Sequence, residues 1–131
     1  MAKKTFADRI MDYVDSPRMR QRVKSGNSLS CVVDGNYGSY RTHVTLAPKK
    51  IKKADCTCPS DYWPCKHVNA LVATYQKVPK SFVDADVLLT GLAAKPSKEL
   101  LRLMREMILA APASLQALGV EGFDDDAERY E

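Results

Sequence analysis

Between positions 56 and 67 the chain reads Cys-Thr-Cys-Pro-Ser-Asp-Tyr-Trp-Pro-Cys-Lys-His. Three thiols and an imidazole (Cys56, Cys58, Cys65 and His67) thus fall within one short stretch. Four such donors close a tetrahedral zinc site, and thiolates with imidazole suit zinc's borderline-soft character. The expected cofactor is one structural Zn2+. A chance cluster or a disulfide pair is the competing reading, and the paired spacing makes it the weaker one. A hydrolytic zinc usually keeps three protein ligands and a water. Past Asp55 the only carboxylate before Val68 is Asp61, and no His-Glu-x-x-His or His-x-Glu pattern occurs. Metal-assisted hydrolysis and deamination therefore lose their usual sequence support.

The spacing also fixes local structure. Strand side chains alternate, so Cys56 and Cys58 both face a metal from the end of an extended segment. Pro59 and Pro64 bracket the loop and restrict its backbone. After Lys66 and His67, the apolar residues Val68, Leu71, Val72 and Tyr75 follow the i, i+3, i+4, i+7 pattern of a helix with one buried face. The motif predicts strand end, short loop and helix start, with the metal at the joint.

The pattern C-x-C-x6-C-x-H, with Cys56-Thr57-Cys58-Pro59 before the loop and Cys65-Lys66-His67-Val68 after it, resembles the SWIM zinc finger over about residues 28 to 76. The resemblance implies a small ββα zinc module that binds DNA or other proteins. Such modules occur in Snf-type helicases, Mutator-type transposases, a kinase with ubiquitin-ligase activity and partners of recombinases. That range implies the fold and the metal more firmly than the task.

Charge is uneven. Residues 1–80 hold fifteen Lys and Arg against six Asp and Glu, a net of +9. Residues 81–131 hold five against ten, a net of −5. Such asymmetry points to an anionic partner for the basic half, which also carries the zinc motif. No apolar run approaches a membrane span, and Asp8, Arg9 and Asp12 break up any secretory signal. Reduced metal-binding cysteines favour the cytosol or nucleus. At 131 residues the chain suits one small domain with extensions, and a zinc would add folding energy to its modest core.

The expected fold is α+β: a small antiparallel sheet, a zinc knuckle and one packed helix, with helical extensions at both ends. Residues 1–26 form the N-terminal helical segment, with Phe6, Ile10, Met11 and Val14 at helical spacing. A second helix there runs from Pro17 to about Lys24, capped by Ser16. Residues 27–78 form the zinc module, with strands over 28–34 and 39–46 around the turn Asp34-Gly35-Asn36-Tyr37-Gly38. Residues 79–120 are helical, with a short helix after Asp84 and a longer one from Ser97 to the Pro112 break. Residues 121–131 form an acidic, mobile tail.

Individual residues carry competing readings. Lys49, Lys50, Lys52 and Lys53 either contact phosphates or protect a strand edge from aggregation. Lys66 and Arg41 complete the candidate nucleic-acid surface beside the metal. Lysines without arginine argue against base-specific readout. Cys31 reads as a buried thiol, His43 as a surface histidine, and Asp8 and Asp12 as a solvated helix face. Trp63 is expected to pack over the metal site, while Tyr62 is equally suited to packing and to contact. The Leu/Met stripe of the 97–110 helix is expected in the core. The function that follows is a non-catalytic module binding DNA or other nucleic acid. The alternative is a protein-interaction subunit assembling with a helicase, recombinase or transposase. Neither reading calls for a membrane or a small-molecule substrate.

Overall fold

A computed structural model of the protein describes residues 4–59 and 63–123. The chain divides into two compact units, Met1–Asp86 and Val87–Glu131.

The first unit is α+β. Its helices and strands run α1 (Phe6–Met11), β1 (Met19–Ser25), β2 (Ser28–Asp34), β3 (Ser39–Ala47), β4 (Lys50–Cys56), α2 (Lys66–Lys77) and β5 (Val83–Asp84). The strands form one sheet in the order β4-β3-β2-β1-β5. All neighbours are antiparallel except β1 and β5, which pair in parallel through Val23–Val83 and Lys24–Asp84. The β2–β3 hairpin forms where the alternation and the Gly/Asn turn place it. Leu29, Cys31 and Val33 face inward from β2, and Thr42 and Val44 do so from β3. Helix α2 lies across β2, β3 and β4, presenting Val68, Ala70, Leu71 and Thr74 to them. Leu29, Val33, Val44, Val68 and Leu71 are at most 1% exposed. Burial of each stabilises the unit by about 1.5–3 kcal/mol relative to exposure.

Residues 19–25 correct the expected second helix: they form β1, and α1 is the only α-helix before the sheet among the described residues. Arg18, Arg20, Arg22 and Lys24 recur with a period of two, which is a strand's period. A bulge between Arg20 and Val23, with Gln21 at φ 53°, interrupts the alternation and hides it. Arg22 then turns inward and clamps the preceding turn. Its Nε donates to Met19 O at 3.0 Å, and its terminal nitrogens donate to Asp15 Oδ1, Ser16 O and Ser81 Oγ at 2.9–3.0 Å. The same turn is tied to α2, because the Asp15 N–H donates to the buried Thr74 Oγ1 at 2.9 Å. Asp8 is not simply solvated. It closes a capping box with Thr5 at the start of α1, while Asp12 takes an ion pair from Lys4.

Helix α3 (Ala85–Leu92) continues from the first unit into the second, which also holds α4 (Ser97–Ala110) and a 3₁₀ segment (Pro112–Leu118). Pro96, not Ser97, occupies the N-cap of α4. The helix stops before Pro112, and Gly119, at φ 78°, closes the 3₁₀ segment in the left-handed region. Arg102 bridges Glu99 and Glu106 along the polar face of α4. The Leu/Met stripe expected in the core has no buried member, and Leu101, Met104 and Met107 are exposed. The acidic stretch from Asp124 onward lies outside the described residues. Among the described residues no helix is long and apolar enough to cross a membrane.

Candidate metal centre

The metal motif sits where β4 ends and α2 begins. Cys56 is the last residue of β4, opposite Thr42 of β3. Thr57 extends the pairing by one step: its N–H donates to Arg41 O at 3.1 Å, and its Oγ1 accepts from the Arg41 N–H at 3.0 Å. With Thr57 held outward, the alternation turns Cys56 and Cys58 to the same inner side. The Trp63–Pro64 peptide at the loop's exit is cis. Cys65 is the N-cap of α2, with extended φ −69° and ψ 168°, and His67 lies in the first turn. Asn69 braces this joint by donating to the carbonyls of Pro64 and Cys65 at 3.1 and 3.0 Å.

All four side chains are buried, and their donor atoms lie within 4.8 Å of one another. His67 Nδ1 stands 3.7 Å from Cys56 Sγ and 4.0 Å from Cys65 Sγ. Donors at the corners of a tetrahedral zinc site stand about 3.5–3.8 Å apart, given bonds of about 2.0–2.3 Å. The donor set therefore fits one zinc ion in type, number and spacing, with Cys56, Cys58, Cys65 and His67 as its holders.

The electrostatics agree. A hydrogen bond from Cys56 holds the Cys65 thiol well below its usual range against the opposing effect of burial, with His67 and the Val68 N–H helping. Cys56, which keeps the proton in that bond, is pushed up, and burial pushes it further. A dication held by Cys56, Cys58, Cys65 and His67 would take the place of that shared proton and offset the charge of the crowded thiolates. Thr42, 1% exposed, places Oγ1 3.3 Å from Cys56 Sγ. The His67 ring packs edge-on against Tyr13 at 4.9 Å and lies tilted on Tyr40 at 5.4 Å, which fixes its orientation. Cys31 stays out of the cluster. Burial pushes its thiol up to about 12, so it is an inert core residue.

The cations expected beside the metal do not gather there. Lys66 does, with Nζ 5.6 Å from the Tyr13 ring centroid. Lys49 and Lys50 lie at the far end of the β3–β4 hairpin. Lys50 is six residues from Cys56, roughly 20 Å along the strand at about 3.3 Å per residue. Lys53 pairs with Thr45 on the face opposite the core, and Lys52 occupies the register irregularity beside it. β4 is an edge strand, so these lysines also protect an edge. Arg41 is exposed on β3, and His43 is partly buried opposite Asp55. Trp63, expected to cover the metal, is 58% exposed, and Tyr62 lies outside the described residues.

Thr42, Tyr13, Tyr40 and Asn69 are the supporting residues that the motif alone does not reveal. Alternation along β3 puts Tyr40 on the same face as the buried Thr42. Their role depends on the register that sets Thr42 against Cys56.

Residues 40–76 match the family model of the SWIM zinc finger, which covers somewhat over a quarter of the 131-residue chain. No curated protein and no solved structure matches the chain.

Proposed function

We propose that this chain, a SWIM zinc finger over residues 40–76, is a binding module for nucleic acid whose zinc supports the fold rather than catalysis. The observation that carries the reading is how the first unit uses its charges. Asp12, Asp15, Asp34 and Asp84 take ion pairs within the unit, Asp8 and Asp86 accept hydrogen bonds from it, and Asp55 is exposed on β4 opposite His43. Among the described residues, Arg9, Lys49, Lys50, Lys52, Lys53 and Lys66 have no carboxylate partner. Positive charge left over in this way suits a polyanion, since phosphate neutralisation provides most non-specific affinity.

Anisotropy titrations of a labelled DNA duplex across salt concentrations test this. Affinity should fall as salt rises. Replacing Lys49, Lys50, Lys52 and Lys53 with Gln should flatten the slope by about one per phosphate contact removed. No binding at low salt contradicts the proposal. A second reading, assembly with a nucleic-acid-processing protein, is favoured by one observation. Val87, Leu88, Leu89, Leu101, Met104 and Met107 of the second unit are exposed apolar residues. Co-purification that survives the lysine replacement but is lost on Leu101→Glu/Met104→Glu would support it.

A further inference from the structure

A cleft of about 180 Å³ opens beside the metal centre, between α1, the β2–β3 turn and the zinc loop. Its floor includes the His67 ring, flanked by Tyr13 and Tyr40. Nδ1 of that ring faces the cysteine sulfurs, and Nε2 is buried without a hydrogen-bond partner among the described residues. Tyr37, 91% exposed, stands at the rim with Asn36. Arg9 and Lys66 also line the cleft, and none of its described lining residues is acidic. Gly35 belongs to its shape: a Cβ there would lie 2.5 Å from Tyr40 Cε2 and displace the ring.

We infer that this cleft receives an unstacked nucleobase of a single-stranded nucleic acid, with Tyr37 stacking on the base and Arg9 and Lys66 holding the neighbouring phosphates. The inference rests on the nucleic-acid reading above and refines it. An exposed aromatic ring beside cations is how sequence-tolerant single-strand binders hold successive nucleotides. A duplex keeps its bases stacked and cannot fill such a slot. The Asn36 amide at the rim suits the hydrogen-bonding edge of a base. A peptide carboxylate would meet the cations but make no use of a flat exposed ring. The hairpin lysines stand at the other end of the sheet and need no unstacked base, so the two surfaces can be separated by mutation.

The test is anisotropy at low salt with the full-length, zinc-loaded chain, using one labelled oligonucleotide both single-stranded and as a duplex. Tyr37→Ala should weaken single-strand binding about tenfold, with duplex binding within about twofold of wild type. Its melting curve should not change, because Tyr37 is outside the core. Tyr37→Phe should retain the wild-type affinity. Single-strand affinity unchanged in both Tyr37→Ala and Lys66→Gln overturns the cleft, even if the hairpin lysine variant abolishes binding and so upholds the wider reading. Equal losses on single strand and duplex also overturn it. So does a polyglutamate peptide whose binding depends on Tyr37 while oligonucleotide binding does not. No binding of either nucleic acid at low salt overturns both readings.

Discussion

At the scale of single residues, the metal centre depends on side chains that hold the ligands as well as on the ligands. Thr42 is the clearest case, because its buried hydroxyl stands 3.3 Å from Cys56 Sγ, although it also reaches the Cys31 thiol. Thr42→Val keeps the shape and removes that contact. Zinc affinity measured by chelator competition should fall about 10–100-fold, the usual cost of losing a partner of a metal ligand. Cys31 gives the opposite prediction. With its thiol pushed up to about 12 by burial, almost no thiolate exists near neutral pH. Alkylation followed by mass spectrometry should leave Cys31 unmodified in the folded protein, and chelation of the metal should expose Cys56, Cys58 and Cys65 first. All four ligands were legible in the chain, because their spacing alone implies a tetrahedral site. Thr42, Tyr13 and Tyr40 were not, because contact with His67 and Cys56 is set by strand register and helix placement. Trp63 misled for a related reason: nothing local distinguishes an aromatic side chain that shields a metal from one left at the surface.

At the scale of elements, three periodic segments of the first unit folded as their patterns require. β2, β3 and α2 bury the residues that their alternation or helical spacing selects. β1 was misread because Pro17 after Ser16 imitates a helix start and the bulge at Gln21 breaks the strand pattern. What makes β1 a strand is tertiary: it pairs with β2 on one side and β5 on the other, and Arg22 locks its entry. The Arg22 side chain is only 12% exposed and has four acceptors. Arg22→Ala should destabilise the first unit by about 2–3 kcal/mol in urea unfolding, since charge-assisted hydrogen bonds are lost and part-buried carbonyl acceptors stranded. Zinc stoichiometry should remain unchanged. A loss under 0.5 kcal/mol would show that water replaces the clamp at no cost.

At the scale of the whole molecule, the two compact units differ in how they bury apolar residues. Among the described residues, all the buried hydrophobic core residues lie between Tyr13 and Phe82, so the first unit contains its own core. A chain ending at Lys95 should keep its zinc and its thermal transition. The basic excess read from composition proved to be distributed at both ends of the sheet rather than concentrated beside the metal, which sequence proximity cannot reveal. A strand carries neighbours in sequence roughly 3.3 Å apart per residue, so Lys50 and Cys56 end at opposite ends. The central claim is that one structural zinc, held by Cys56, Cys58, Cys65 and His67, stabilises the first unit. The most direct test is to strip the metal with a chelator, then titrate zinc back while following thermal unfolding and bound metal together. One equivalent should restore the full cooperative transition, and Cys58→Ser should abolish the response. A metal-free chain with an unchanged melting curve, or restoration by zinc in Cys58→Ser, would contradict the account.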